Sequence, residues 1–217
     1  AADTLAWLAR QSGPGPRWIG IEPAEGLRER GRTASEEVDG LEVLDGRFER
    51  LPLATGAVDY LFSLMAFHWV RDPAVAAREL ARVLSPSGAM DLFFVGRHNG
   101  REFIRATSRI FLRHLGPARL LAAAALRQNL DREQARDLFA AAFPHRVLEV
   151  AETFETWYDD LAGHWGWWVR IEGQLLDLPA AERARCEHDV RAALARLQTA
   201  RGIPYTLHLL HVRLDGA

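Results

Sequence analysis

The chain has 217 residues, of which 48% are hydrophobic and 26% charged, a balance typical of a globular domain. Its formal net charge is −2 with arginine and acidic residues interleaved, a pattern that gives no electrostatic footprint for nucleic acid. All 27 basic residues are arginine, which excludes a Schiff-base lysine and a phosphate loop of the Gly-Lys-Ser/Thr type.

The cysteine content and the length of the apolar runs argue against an internal disulfide, a zinc-thiolate cluster and a membrane-spanning helix. Cys186 is the single cysteine, so an internal disulfide and a thiolate zinc cluster are excluded, and we expect a small residue on a helix. No apolar run approaches the roughly 18–20 residues of a membrane span, and none reads as a signal peptide. We therefore expect a cytoplasmic protein without membrane contact. Because the chain opens with Ala1 rather than methionine, we expect a processed, trimmed or fragmentary amino terminus.

The first hundred residues alternate predicted helices and strands. Residues 5–10 resemble the tail of a helix, which the glycines and prolines of residues 12–16 break. Asp72 and Pro73 suit the N-cap and the first position of another helix. Short apolar runs predict strands at residues 17–22, 41–44, 58–65 and 90–95, with helices at about 24–32 and 72–84. This alternation predicts a parallel sheet with helices on both faces.

The second half is predicted to be mainly helical. The pattern from Arg101 to about Phe143 is rich in alanine, leucine and arginine, and we interpret residues 97–145 as a helical cap insert in a single domain, 1–217. A strand is expected at 147–154, a helix after Leu178, and a closing strand at 206–214.

Glu22 is the first candidate binding residue, because it ends the predicted strand 17–22. An acid at the carboxyl end of such a strand can accept two hydrogen bonds from ribose hydroxyls. Dinucleotide-dependent enzymes and methyltransferases share this feature. The alternative is a solvated acid before a turn proline.

The order of the later motifs is more specific. They are Ile-Gly-Ile-Glu-Pro at 19–23, Gly-Arg-Phe-Glu-Arg-Leu-Pro-Leu at 46–53, the apolar run ending in Phe-His-Trp-Val at 58–70, Asp-Pro at 72–73, and Leu-Ala-Arg-Val-Leu-Ser-Pro-Ser-Gly at 80–88. This order and spacing resemble the class I S-adenosylmethionine-dependent methyltransferase family, in particular its small-molecule enzymes of the ubiquinone and biotin pathways. The resemblance covers residues 1–95, and residues 202–206 resemble the approach to the family's last strand.

The resemblance implies a Rossmann-like α/β fold, doubly wound and mostly parallel with an antiparallel carboxyl-terminal strand, and S-adenosylmethionine as cofactor. It implies cofactor contacts for Glu22 and Pro23 at the ribose, and for Leu64 and Met65 beneath the sulfonium. Arg47 and Phe48 fall where the family places an acid that reads the adenine amino group and a neighbour that packs on the ring. Arginine cannot accept that hydrogen bond, so Asp45 or Glu49 would substitute for it.

The family's glycine-rich loop is absent from the sequence. In the family it precedes the helix to which residues 1–10 correspond, and its strand lies between those ending at Glu22 and Met65. Its backbone approaches the methionine part of the cofactor as closely as only glycine permits. We therefore expect a longer natural protein rather than an enzyme without the loop.

The aromatic and histidine residues leave alternatives open. His68 is interpreted as a general base toward a substrate hydroxyl, or as a histidine that shapes the pocket or caps the strand end. Trp69 would face the methyl-transfer region, and Trp165 and Trp168 would wall an apolar substrate pocket or belong to the core or to a subunit interface. No metal site is expected, since His208 and His211 lie three residues apart on one predicted strand and point to opposite faces of it.

The sequence therefore predicts methyl transfer from S-adenosylmethionine to an oxygen, in preference to a carbon or nitrogen, of a small-molecule or carrier-bound acyl acceptor. One alternative is a non-catalytic binding or assembly protein, suggested by the absent loop and Arg47. Another is a nicotinamide-dependent dehydrogenase, suggested by Glu22. The acceptor and the oligomeric state stay open.

Overall fold

A computed structural model describes residues 2–12, 15–36, 38–125, 129–171 and 178–216. The helices in these ranges are α1 Ala2–Ser12, α2 Glu25–Ser35, α3 Pro73–Val83, α4 Arg101–Ala124, α5 Arg132–Ala142, α6 Leu161–Ile171 and α7 Ala180–Ala195. The strands are β1 Trp18–Ile21, β2 Leu41–Leu44, β3 Val58–Leu64, β4 Leu84–Val95, β5 Leu148–Asp159 and β6 Ile203–Leu214, with a 3₁₀ turn at Phe67–Trp69. The predicted break at Gly13 and Pro14 lies outside the described residues.

The strands form two sheets. β1 and β2 pair in parallel, and the second sheet has the order β3-β4-β6-β5, with β3 parallel to β4 and β6 antiparallel to both of its neighbours. Within the described residues, the edge of β3 opposite β4 pairs with no strand. The predicted α/β class and the antiparallel carboxyl-terminal strand are confirmed.

The connection from β3 to β4 follows the sequence pattern closely at its start. The Asp72 carboxylate accepts a hydrogen bond from the Val75 N–H at 3.0 Å, and Pro73 occupies the first helical turn, as predicted. The helix predicted at 72–84 ends at Val83, but the strand predicted at 90–95 begins earlier, because β4 starts at Leu84 directly after α3. Leu84 pairs with Val58 across an irregularity in the β3–β4 register, and this pairing extends the strand over the Ser-Pro-Ser-Gly segment.

The main core lies between the second sheet and helices α3 and α5. Phe67 is fully buried at its centre, with ring centroids 5.2 Å from Phe94 and 5.1 Å from Phe139. Phe139 belongs to α5, which a capping box of Asp131 and Gln134 begins. Thus α5, in the predicted cap insert, packs in the core of the sheet.

A second core joins α4, α6, α7 and the beginning of β6. Its fully buried members include Cys186, Val190 and Leu194 of α7. Burial, with nearby acids, raises the pKa of the Cys186 thiol to about 11, so this cysteine is an inert core residue, as predicted. The long helix α4 has a kink at Gly116, whose φ of 72° lies in the left-handed region.

A third and smaller core lies between α1 and the β1–β2 pair, and Phe62 of β3 packs against it. Its buried residues are Leu5, Ala6, Ala9, Val38 and Leu41. None of the helices that the structure describes combines the length and apolar character needed to cross a membrane.

Candidate active site

The loop after β2 and the turn after β3 are packed together. The Phe48 ring meets Phe67 edge-on, with 5.4 Å between centroids and 77° between planes. Ile21, the last residue of β1, also packs against the main core. These contacts bring the carboxyl ends of β1, β2 and β3 next to one another, where the side chains that follow parallel strands commonly bind ligands.

Glu22 lies at the carboxyl end of β1, as predicted. Its N–H donates to the Leu44 carbonyl at 3.1 Å, which fixes its backbone beside β2. One carboxylate oxygen accepts the Ala24 N–H at 2.9 Å, and the other accepts no hydrogen bond from the described residues. Pro23 beside it is exposed. The half-buried carboxylate therefore keeps acceptor capacity for a ligand.

Arg28 joins the ends of β1 and β2. Its guanidinium donates to the Glu22 carbonyl at 3.1 Å, to the Pro23 carbonyl at 3.2 Å, and to the Asp45 carboxylate at 3.1 Å. The Asp45 side chain stays exposed beyond this ion pair. Asp45 therefore lies near Glu22 with a carboxylate oxygen free to accept a further hydrogen bond.

Of the two acids proposed to substitute for Arg47, Glu49 is engaged within the protein. Its carboxylate accepts the N–H groups of Arg71 at 2.5 Å and Asp72 at 3.3 Å, which ties the β2 loop to the start of α3. Arg47 is exposed and exchanges backbone hydrogen bonds with Arg50 in a tight turn. This leaves Asp45 as the better placed of the two acids.

The end of β3 exposes large apolar side chains. Leu64 is 53% exposed and Met65 is 47% exposed. Met65 has φ of 56°, while its N–H donates to the Phe93 carbonyl at 2.7 Å. A left-handed conformation costs a residue other than glycine roughly 1–2 kcal/mol, and such conformations cluster at functional sites. The geometry suits a surface that a ligand covers.

His68 and Trp69 lie side by side in the 3₁₀ turn after β3. Their ring centroids are 5.2 Å apart, His68 is 5% exposed, and Trp69 is 40% exposed. The burial of His68 fits the interpretation in which it shapes the turn, and Trp69 is the aromatic residue that a substrate can reach. The general-base role of His68 stays a prediction.

Trp165 and Trp168 belong to the second core. Their rings stack with centroids 5.0 Å apart, Trp168 is 3% exposed, and it also stacks on Phe111 at 6.2 Å. Arg191 lies over the Trp165 ring at 5.5 Å. These contacts with α4 and α7 fit the core alternative, and the pocket wall shared with Trp69 stays a prediction.

The sequence pattern missed a cavity of about 530 Å³ at the end of β4. Its lining is contributed by the segment after β4, the first turns of α4 and the middle of β5, and consists of Arg97, His98, Arg101, Ile104, Arg105 and Phe154. The spacing of Arg101 and Arg105 was a signal that the sequence offered, since residues four apart share a helix face.

The cavity rests on buried His208. Nδ1 of His208 accepts the His98 N–H at 2.9 Å, so Nε2 carries the proton and donates to Glu152 at 2.8 Å. Burial lowers the pKa of His208 despite the neighbouring Glu152 carboxylate. The lowered pKa keeps the imidazole neutral at pH 7. The ring stacks on Phe154 at 4.4 Å, and a Cβ on Gly96 would overlap it.

The other histidine of β6 has a different partner. His211 pairs with Asp91 at 2.5 Å and stacks on Phe93, whereas His208 pairs with Glu152. Within the described ranges, no group of three or more histidine, cysteine and acidic side chains is arranged to hold a metal ion.

Comparison with known proteins identifies the family. Residues 2–91 match the methyltransferase domain family. A malonyl-(acyl-carrier protein) O-methyltransferase of Methylovorus sp. (strain MP688) is 32% identical over 152 residues, which cover 67% of this chain and 48% of that protein. A glycine/sarcosine/dimethylglycine N-methyltransferase of Actinopolyspora halophila is 31% identical over 166 residues, covering 74% of this chain and 29% of that protein.

Solved structures agree on the fold. The YcgJ protein from Bacillus subtilis matches with a TM-score of 0.61 at 17% identity, over 93% of this chain and 83% of that one. The chain spans about half the length, or less, of the two curated relatives described above. The domain match, these relatives and the shared fold favour a methyltransferase over a nicotinamide-dependent dehydrogenase. Together these findings support a class I S-adenosylmethionine-dependent methyltransferase.

Proposed function

We propose that the protein transfers the methyl group of S-adenosylmethionine to an oxygen of a small-molecule or carrier-bound acyl acceptor. The observation that carries this proposal is the position of Glu22 at the carboxyl end of β1, with an uncommitted carboxylate oxygen, together with the strained and exposed carboxyl end of β3. A polar anchor next to an apolar wall suits a nucleoside joined to an amphipathic thioether chain.

The residues present fit the cofactor in three places. Glu22 would accept hydrogen bonds from the ribose hydroxyls, and Asp45 would accept one from the adenine amino group. Leu64 and Met65 would form an apolar wall at the sulfonium end, where Trp69 is accessible from solvent. When bound, S-adenosylmethionine supplies a methyl group already activated on a positively charged sulfur.

The protein's own contribution to the reaction would be alignment of the acceptor. Holding two reactants in line accounts for about 7–11 kcal/mol of a barrier in well-oriented systems. Trp69 would orient the acceptor, and His68 would receive a proton if the acceptor is a hydroxyl. A carboxylate acceptor needs no base, since it is already ionised at pH 7.

The preference for oxygen draws on a comparison of the two relatives described above. The Methylovorus protein is named as an O-methyltransferase of a carrier-bound malonyl group, whereas the Actinopolyspora protein is named as an N-methyltransferase. The match to the first covers a larger part of the relative than the match to the second. We therefore propose oxygen, with a carrier-bound acyl group as the first acceptor to test.

Calorimetric titration with S-adenosylhomocysteine tests the cofactor site. Glu22→Gln keeps an oxygen for the Ala24 N–H but removes the charge, and we expect affinity to fall about tenfold or more, the value of a charged hydrogen bond. Glu25→Gln is the matched control, because Glu25 is an exposed acid in the first turn of α2. Its affinity should equal that of the wild type.

A panel of acceptors then tests the reaction itself, with S-adenosylhomocysteine release as the readout. Formation of product with a carrier-bound acid supports the full proposal, and product only with amines corrects the acceptor atom. No binding of S-adenosylhomocysteine, or equal binding by the wild type and Glu22→Gln, contradicts the proposed site.

A further inference from the structure

The cavity beside α4 combines a cationic wall with an apolar one. Arginines line one side, and Ile104 and Phe154, each about half exposed, supply apolar surface. Its volume of about 530 Å³ lies within the range of roughly 300–1,000 Å³ that small-molecule sites occupy. We infer that this cavity binds the oxyanion of an amphipathic acid, a carboxylate or a phosphate, and, on the basis of the proposed function, that this acid is the methyl acceptor or part of it.

The arginines differ in how far their charge is already neutralised. Arg97 pairs with Asp131 at 3.0 Å and with the Gln134 side chain at 2.6 Å, so its guanidinium is held at the rim. The Nε of Arg101 forms an ion pair with the Glu102 carboxylate at 3.2 Å. Arg105 makes no ion pair or hydrogen bond with any described residue, and it therefore contributes a full positive charge to the cavity.

Glu102 offsets part of the charge of Arg101 but leaves that of Arg105, and its carboxylate is also committed to β6. It accepts the Thr206 N–H at 3.0 Å and the Thr206 hydroxyl at 2.6 Å. Burial acts against ionisation, but these hydrogen bonds hold the pKa of Glu102 below its usual value. The bonds also fix the first turn of α4 against the sheet.

Arg101 and Arg105 are placed to act on one ligand. They are four residues apart on α4 and lie on the same face of the helix, toward the cavity. A guanidinium presents several donors in a planar fork that matches a carboxylate or phosphate. Two such forks on a fixed helix would bind an oxyanion and leave a neutral head group, such as an alcohol, without its charge-assisted bonds.

The apolar wall is fixed from behind. Phe154 stacks on the neutral imidazole of His208, with rings 12° from parallel, and His208 is anchored by Glu152 and the His98 N–H. This arrangement presents the outer face of the Phe154 ring as a rigid surface. A hydrocarbon chain or a ring of the acid would lie on it while the oxyanion meets Arg105.

The cavity lies at the edge of the sheet where β3 ends. Met65 donates its N–H to Phe93 of β4, and Arg97 and His98 follow the end of β4 a few residues later. β3 and β4 are parallel, so their carboxyl ends point to one edge. An acid anchored at Arg105 would extend from there toward Met65 and Trp69.

Three ligands with the same chain and different head groups test the inference by calorimetry. Octanoate and octyl phosphate carry oxyanions, and octanol is neutral. We expect both acids to bind the wild type, and we expect the affinity for octanol to be lower by about tenfold or more. Arg105→Ala should lower the affinity for the acids about tenfold, and Arg105→Lys, which keeps the charge but loses the fork, should lower it less.

Arg109→Ala is the matched control, because Arg109 is an exposed arginine one turn further along α4 and outside the cavity lining. It should bind both acids as the wild type does. The relative affinity of octanoate and octyl phosphate distinguishes a carboxylate from a phosphate as the natural group. The inference is overturned if neither acid binds, if octanol binds as tightly as the acids, or if Arg105→Ala binds them unchanged.

Titration of the same variants with S-adenosylhomocysteine separates this inference from the proposed function. Arg105→Ala should retain wild-type affinity for S-adenosylhomocysteine, because Arg105 lies in the acceptor cavity. If S-adenosylhomocysteine fails to bind while octanoate binding depends on Arg105, the proposed function is wrong and the oxyanion site stands. If S-adenosylhomocysteine binds and octanoate binding is independent of Arg105, the oxyanion site is wrong.

Discussion

The β1–β2 pair and the four-stranded sheet are assembled from the same alternation of helices and strands, but they are packed very differently. β1 and β2 are four residues long, and the small core between them and α1 contains two alanines among its five buried residues. In the larger sheet β4, β5 and β6 are each 12 residues long, and Phe67, Phe94 and Phe139 are fully buried against one another.

This difference follows the division of labour that we propose. Glu22 and Asp45, on the β1–β2 side, would hold the cofactor, whereas the oxyanion cavity is fixed to the larger sheet by His208 and Glu102. Ligand-binding segments are commonly drawn from the less stable parts of a protein. A ligand that binds only the folded state also stabilises it. The comparison indicates that cofactor binding would stabilise the β1–β2 side, while the acceptor cavity is already fixed.

Truncation in each core provides the largest test of this contrast. Phe139→Ala removes a fully buried ring that contacts Phe67, and we expect the free energy of unfolding to fall by about 3–5 kcal/mol. Leu5→Ala, in the small core, should cost about 2 kcal/mol, the low end for a leucine, because Leu5 retains some exposure in a cluster of five buried residues.

Urea unfolding measures both free energies, and hydrogen exchange locates the effect. We expect Leu5→Ala to increase exchange in α1, β1 and β2 while β4 and β6 stay protected. Equal losses of stability in the two variants, or exchange that rises uniformly through the chain, would contradict the proposed difference in packing.

Met65 provides a test of intermediate size at the boundary between the two regions. Because its φ of 56° is unfavourable for any side chain, we expect Met65→Gly to raise the free energy of unfolding by about 1 kcal/mol. Met65→Ala is the matched control, since it also removes the exposed side chain but retains the strain. Both variants should bind S-adenosylhomocysteine more weakly, because both lose apolar wall.

Thermal and urea unfolding of the two variants decide this prediction. If glycine and alanine give the same stability, the backbone at Met65 stores no strain. If both bind S-adenosylhomocysteine as the wild type does, the end of β3 does not contact the cofactor.

Local patterns predicted the elements that position the proposed cofactor site. The apolar runs that predicted β1, β2 and β3 depend only on neighbouring residues, and so does the Asp72 cap of α3. The placement of Glu22 at a strand end follows from the same local signal. The choice between Asp45 and Glu49 did not, because it depends on Glu49 meeting the N–H groups of Arg71 and Asp72 more than twenty residues away.

The packing of the tryptophan-rich segment and the position of the cavity could not be predicted from sequence periodicity. An apolar helix face has the same pattern whether it lines a pocket or packs in a core, so the stacking of Trp168 on Phe111 could not be predicted from spacing. The cavity joins the end of β4 to Phe154 through the pairing of β5 with β6. Such long-range pairing leaves no local signal, although the spacing of Arg101 and Arg105 marked one wall.

The smallest expected effect concerns the buried support of the cavity, and it takes the form of a pH dependence. Burial lowers the pKa of His208 despite Glu152, so below about pH 6.5, the ordinary value for imidazole, the unfolded chain binds a proton that the folded protein does not. Since the unfolded state then binds more protons, stability is complete above that pH and falls as the pH drops toward the folded-state pKa.

Urea unfolding at pH 7.5 and pH 5.5 measures this loss. His208→Gln should reduce it, because the amide can still donate to Glu152 and does not titrate, while His145→Gln, at an exposed histidine, should lose as much stability as the wild type. An equal loss in His208→Gln and the wild type would place the acid sensitivity elsewhere. A reduced loss would indicate that the buried, neutral imidazole behind Phe154 accounts for part of the acid sensitivity of the fold.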